Sequence, residues 1–271
     1  MEVIAAMSAL SDNQVSRFIQ DGFVHVPGAF PRPVADECRA VLWHKTGLNP
    51  DDPRTWTQPV VRIDSCVEEP FVCAANTATL HGAYDQLVGT GRWVAPPGLG
   101  TFPIRFPHPD DPGDAGWHLD ASFADDQGKG RVNLRSRGRA LLMLFLFSDI
   151  GPDDAPTRIR IGSHRDVVPL LAPSGDAGRE WMALCQEAGR ASQHRPKTLA
   201  TGRAGDVYLC HPFLIHGAQP HHGSGVRFIA QPPLEPTGDL DFARDEGDSS
   251  PVEIAVRHGL DQDSLSTDLE E

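Results

Sequence analysis

The pattern of apolar and polar positions changes near residue 100. Before it, apolar residues recur at helical spacing. In DNQVSRFIQDG, Val15, Phe18 and Ile19 share one face, Ser11 and Gln14 have the spacing of a capping box, and Gly22 predicts the stop. FVHVPG reads as a short strand running into a turn, and further helices are predicted over 32–46 and 69–89. After residue 100 the chain turns to short apolar or alternating runs: TFPIRF, RVNLR, ALLMLFLFSDI, TRIRI, DVYLC and VRFIAQ. Gly, Pro and Asp clusters separate them, as turns separate antiparallel strands. ALLMLFLF is apolar throughout, which predicts a central strand buried on both faces. RVNLR alternates, setting Val132 and Leu134 opposite Arg131, Asn133 and Arg135. Two more helices fit between 164 and 190. The stretch from 261 to 271 is acidic and poor in apolar residues, which predicts a disordered tail. The reading is one mainly β domain over 1–260: a helical part over 1–95, a jelly-roll-like double sheet over about 96–235 with helices outside, and a C-terminal extension over 236–260.

Composition narrows the partners. The chain has 271 residues and a formal charge of −13, a sign that repels phosphate backbones and anionic lipid headgroups. Neither a nucleic acid nor a membrane is the expected partner. There is no apolar run of about 18 residues, and MEVIAAMSALSDN has neither the basic region nor the apolar core of a signal peptide. The expected location is the cytoplasm. The five cysteines show no CxxC spacing, so free thiols are expected in place of a zinc cage or disulfide framework.

Candidate chemistry begins with histidine. A metal that must bind a cosubstrate and oxygen needs open positions, and two histidines with one carboxylate leave them. On a strand, His-x-Asp delivers two ligands to one face. The tripeptide occurs three times. His108 and Asp110 lie in FPHPDDPGD, where prolines argue for a loop. His164 and Asp166 lie in GSHRDVV, where Ser163 could cap a helix that turns the two side chains apart. His118 and Asp120 lie in GWHLDASF, whose Trp117 and Phe123 can wall a pocket. A distant histidine must complete the set, and HPFLIHGAQPHHGSGVRF offers His211, His216, His221 and His222. Spacing favours His216, eleven residues before Arg227, because a buried arginine fork suits a carboxylate.

WHLD, then GSH, then HGA with that arginine resemble the phytanoyl-CoA dioxygenase (PhyH) family of Fe(II)- and 2-oxoglutarate-dependent oxygenases. LSDNQVSRFIQDGFVHVPGAFP is similar to the family's opening. The resemblance covers roughly residues 9–230. It implies a double-stranded β-helix (jelly-roll, cupin-like) core, iron held by His118, Asp120 and His216, and Arg227 on the distal carboxylate of 2-oxoglutarate. His211 is then structural, and His221 and His222 are solvated. Leu119, Leu144 and Ala218 depart from residues common in the family. Arg105, thirteen residues before His118, is a candidate for the near carboxylate; the alternative is a surface ion pair.

The implied reaction consumes O2 and 2-oxoglutarate and attacks an unactivated C–H bond. A carboxylate at Asp120 favours hydroxylation, since halogenating relatives carry a small residue there. Trp117, Phe123, Asn133 and Arg135 are candidate substrate contacts, whereas Arg137 and Arg139 read as a solvated basic stretch. A small natural product or amino-acid-like metabolite is the expected substrate. Three other readings remain open here: a cupin-type metalloenzyme that does not use 2-oxoglutarate, a non-catalytic jelly-roll binding protein, and a purely structural one in which His118, Asp120 and His216 form a hydrogen-bonded core cluster.

Overall fold

A computed structural model of the chain describes residues 9–242 and 246–267. Helix α1 (Asp12–Asp21) is capped as its sequence predicts: Ser11 Oγ accepts the Gln14 N–H, and Gln14 Oε1 accepts the Ser11 N–H. Gly22 ends it at φ +83°, where a Cβ would lie 2.5 Å from His164 Nδ1. Strand β1 (Phe23–Val26) follows, then α2 (Arg32–Thr46) and β2 (Val60–Cys66). The helix expected over 69–89 is two helices, α3 (Glu69–Ala75) and α4 (Ala78–Val88). Thr77 caps α4 by accepting the Leu80 N–H, and Asn76 donates to the carbonyls of Val72 and Pro96, so the break has its own polar partners.

Nine strands and two helices follow up to residue 199 and beyond in the order β3 (Leu99–Arg105), β4 (Phe123–Ala124), β5 (Gly130–Val132), β6 (Leu141–Leu146), β7 (Arg158–Arg160), α5 (His164–Leu171), β8 (Arg179–Glu180), α6 (Trp181–Ala191), β9 (Lys197–Leu199), β10 (Val207–Cys210) and β11 (His216–Gly217). Strands β12 (Ile229–Ala230) and β13 (Pro233–Leu234) and helix α7 (Pro251–Thr267) complete the chain. All pairings are antiparallel. The main sheet runs β1-β10-β6-β12, with β13 also on β6; a second sheet runs β11-β7-β9. Strand β6 is central and buried on both faces, as its unbroken apolar sequence predicts. Leu141, Met143 and Phe145 join the larger core under the helices; Leu142, Leu144 and Leu146 join a second cluster with Ile150, Ile159 and Leu214.

Strand β5 stops at Val132, so RVNLR is not one alternating strand. Helix α7 continues to Thr267 where disorder was expected from 261; residues 268–271 lie outside the described ones. The helix is anchored at its start, where Val252, Ala255 and Val256 are buried and α7 packs on α1, α4 and α5. Once anchored, a helix extends through polar residues at little cost. Among the described residues no helix is long and apolar enough to cross a membrane.

Candidate metal centre

The chain segments carrying the two histidines are joined by a pair of backbone bonds. His118 N–H donates to the His216 carbonyl at 2.9 Å, and His216 N–H to the His118 carbonyl at 2.8 Å. Leu119, between His118 and Asp120, is buried, and its carbonyl accepts from Trp181 Nε1 and Cys185 Sγ on α6. With Leu119 pinned inward, His118 and Asp120 both turn to the other side. The imidazole rings of His118 and His216 lie 4.4 Å apart. Ligand atoms of His118, Asp120 and His216 all fall within 4.8 Å of one another.

Backbone carbonyls select the tautomers. His118 Nδ1 lies 3.0 Å from the Gly116 oxygen and His216 Nδ1 3.1 Å from the Leu214 oxygen. A carbonyl only accepts, so each Nδ1 carries the proton and each Nε2 keeps its lone pair for the site. Burial, then His118, pushes the His216 imidazole down to about 4, so it is neutral near pH 7. Burial disfavours the Asp120 carboxylate, but Arg139, then His216 and His118, outweigh it and hold the carboxyl below its usual range. Two imidazoles, each with Nε2 toward the site, and one carboxylate on one side form a donor set that fits a divalent first-row ion with open positions.

Two cavities meet at this cluster. One, about 290 Å³, is lined by His118, His216, Ala218, Arg105, Arg227 and Asp114, among others. The second, about 480 Å³, is lined by Asp120, Arg139, Asp64, Glu235 and several prolines. Asp64, Thr101 and Gln231 line both. In the smaller cavity Arg105 and Arg227 are 1% and 2% exposed and form an antiparallel bridge. Arg227 donates to the carbonyls of Ala155 and Pro103; Arg105 donates to Asp114 at 2.6 Å. Nε of both arginines and Nη1 of Arg105 are buried without a hydrogen-bond partner. Burial, then Arg105, lowers the Arg227 guanidinium below its ordinary value. The Asp114 carboxylate serves Arg105 and Arg62 together, so with Arg227 this end of the cavity holds three guanidiniums around that one carboxylate. Unpaired buried donors of this kind call for an anion with acceptor oxygens.

The sequence matches the phytanoyl-CoA dioxygenase (PhyH) family over residues 18–229. The chain belongs to that family. Comparison with curated proteins gives no match. Among solved structures it is similar to HygX from Streptomyces hygroscopicus with nickel and 2-oxoglutarate bound (20% identity, 84% of this chain and 88% of that one, TM-score 0.54). It is also similar to the non-haem α-ketoglutarate-dependent epimerase SnoN from nogalamycin biosynthesis (19%, 81% and 80%, 0.54). EctD from S. alaskensis with 2-oxoglutarate and 5-hydroxyectoine is a third such structure (18%, 83% and 76%, 0.55). At these identities the likeness establishes the fold.

In this PhyH-family chain the other histidines lie elsewhere. His108 and Asp110 sit in a loop, where Asp110 N–H donates to His108 Nδ1. His164 is buried at the start of α5 beside the Ile19 carbonyl, and Asp166 pairs with Arg195. Ser163 is not a side-chain cap: its hydroxyl donates to the Arg160 carbonyl and accepts the Ile215 N–H, which fixes the backbone next to His216. His211 is buried, with Nε2 at the Val252 carbonyl and its ring 4.9 Å from His164. His221, expected in solvent, is buried, and its Nδ1 accepts the Gly223 N–H; His222 is exposed.

None of the four substrate candidates lines either cavity. Trp117 is covered by Arg158, Arg160 and Lys197, and Phe123 by Arg137. Asn133 is buried in a turn, donating to the Asp176 carbonyl and accepting the Arg137 N–H. Arg135 pairs with Asp176 at the surface. The reason is the early end of β5, which removes the alternation that put Asn133 and Arg135 on one face. Arg139 is the opposite case: its basic stretch predicts a solvated side chain, and it lies against Asp120. Its signal was a charged residue entering a fully apolar strand straight after a glycine turn.

Proposed function

We propose that this protein is an Fe(II)- and 2-oxoglutarate-dependent oxygenase that hydroxylates an unactivated C–H bond of a small molecule, releasing succinate and CO2. In this reading His118, Asp120 and His216 hold the iron, and Arg227 holds the distal carboxylate of 2-oxoglutarate. The observation that carries it is a His-Asp-His cluster with both Nε2 atoms freed, opening on a cavity that ends in under-paired buried arginines. When bound, iron with 2-oxoglutarate and O2 supplies an oxidant strong enough for such a bond. The chain supplies position. Its backbone fixes the ligand tautomers, and Arg227 sets the cosubstrate's orientation by a two-pronged contact.

Arg105 belongs at the Arg227 end in this reading, beside the distal carboxylate, since the two arginines are bridged and Arg105 already turns to Asp114. The near carboxylate falls to groups closer to the metal. The larger cavity, reaching Asp120, suits the organic substrate. HygX crystallised with hygromycin B and EctD with 5-hydroxyectoine are consistent with a small polar metabolite or natural product. The β1-containing and β7-containing sheets act as the two halves of a double-stranded β-helix, with His216 on β11 of the second sheet and His118 bridged to it. A second reading, epimerisation or ring closure by the same centre, is favoured by the similarity to the epimerase SnoN and the carbocyclase SnoK.

The test is calorimetric titration of the anaerobic Fe(II)-loaded protein with 2-oxoglutarate. Arg227→Met should weaken binding by about 2 kcal/mol or more, and Arg227→Lys by less, as expected for loss of a charge-assisted pair. Parental affinity in Arg227→Met would overturn the assignment of the carboxylate site.

A further inference from the structure

Arg139 is delivered to Asp120 by a closely defined turn. Asn133 Oδ1 accepts the Arg137 N–H at 3.1 Å, and Ser136 Oγ donates to the Arg139 carbonyl at 2.7 Å. Ser136 and Gly138 take φ of +47° and +79°. A Cβ on Gly138 would lie 2.5 Å from the Ser122 carbonyl oxygen, so only glycine passes there. Ala140 N–H then donates to the Leu234 carbonyl, and β6 begins. Fixed on both sides, the Arg139 side chain is 11% exposed and turns inward. Its Nη1 lies 3.3 Å from Asp120 Oδ2, an ion-pair contact in which Nη1 keeps no other partner, and its Nη2 donates to the Ala121 carbonyl at 3.3 Å. Asp120 Oδ1 instead faces His216 Nε2 at 3.8 Å.

The two carboxylate oxygens are therefore divided, one toward a guanidinium and one toward the other ligands. A carboxylate with both oxygens free can close on a cation through both. A six-coordinate ion with three protein ligands has three positions left, and a chelating 2-oxoacid with O2 uses all three. A second oxygen from Asp120 would take one of them. We propose that Arg139 is a positioning residue that occupies Asp120 Oδ2, so that the carboxylate offers a metal Oδ1 alone and the third position stays open. The proposal rests on the family reading of the triad as an iron site.

The experiment compares Co(II)-loaded parent, Arg139→Gln, Arg139→Lys and Arg137→Gln by crystallography and by titration with cobalt and then 2-oxoglutarate. Arg137 is the control, exposed in the same turn and paired with Asp239. In the parent Asp120 should bind cobalt through one oxygen. In Arg139→Gln it should bind through both, with 2-oxoglutarate at least about tenfold weaker and cobalt affinity within about threefold. Arg139→Lys should restore part of the loss, and Arg137→Gln should match the parent. One-oxygen binding with parental 2-oxoglutarate affinity in Arg139→Gln would overturn the proposal. So would equal losses of cobalt and 2-oxoglutarate affinity together with a lower unfolding temperature, which mark a packing residue. A parent that binds cobalt at the triad but not 2-oxoglutarate would sink the cosubstrate reading, while the Asp120 binding mode would still decide the role of Arg139.

Discussion

Each histidine of the candidate cluster is aimed by the carbonyl two residues before it, and His216 gains a further support from Ser163. The Ser163 hydroxyl is buried and holds the Ile215 N–H, so removing it leaves a buried donor unpaired. Ser163→Ala should cost about 1–3 kcal/mol in urea unfolding, with a measurable loss of metal affinity from the same displacement. A variant as stable as the parent would show that Ser163 does not position this segment. That His118, Asp120 and His216 would cluster, with Arg227 on the adjoining cavity, was legible in the sequence through period-two spacing and a fixed offset taken together with the family resemblance. Arg139 and Asp114 were not. Both reach the site through turns, where side-chain direction depends on φ values such as those of Ser136 and Gly138 and on no periodicity. Trp117 and Phe123 line neither cavity, because aromatic neighbours of the cluster can equally be stacked under arginines.

At the scale of elements, a capping box marks the helix start at Asp12, the helix over 32–46 is predicted by its range alone, and an unbroken apolar run marks the buried β6. The break at Asn76 and Thr77 combines local bonds to the Val72 carbonyl and the Leu80 N–H with one to the distant Pro96 carbonyl, which no local pattern contains. Helix α7 shows the same limit. Its Glu253 is buried and bonds Arg92, the N–H groups of Asp241 and Ser250, and the Ser250 hydroxyl. Burial opposes ionisation, but Arg92 and these donors outweigh it and take the Glu253 carboxyl from 4.5 down to about 2. A depressed carboxyl stabilises the fold fully above its unfolded value, and that contribution is lost as pH falls from 4.5 through about 2. Glu253→Ala should therefore lower stability by about 3 kcal/mol near pH 7 and by progressively less in acid. Unfolding curves of the two proteins that keep the same separation from pH 7 to pH 2 would contradict this.

Across the whole molecule, backbone bridges bring together residues about a hundred positions apart, His118 with His216 and Arg105 with Arg227, and further histidines are buried elsewhere in the core. Burial holds His211 at about 3, and burial with His211 lowers His164 well below 6.5. Both are neutral when folded and take up protons when unfolded, so their contribution is present above 6.5 and lost as pH falls from 6.5 through about 3. Metal-free protein should accordingly begin to lose thermal stability below about pH 6.5, before its carboxylates titrate. An unfolding temperature constant from pH 7 to pH 5 would count against it. The antiparallel sheets were readable from the alternation of runs and turns, whereas the meeting of two cavities at one cluster follows from the pairing of His118 with His216 and Arg105 with Arg227.

The most direct test of the metal centre is an anaerobic titration with Fe(II) and then 2-oxoglutarate, following the visible metal-to-ligand charge-transfer band in the parent, His211→Gln and His216→Ala. The band should form in the parent and in His211→Gln and be absent from His216→Ala. Its absence from folded, iron-loaded parent protein would contradict the assignment of this site to 2-oxoglutarate chemistry.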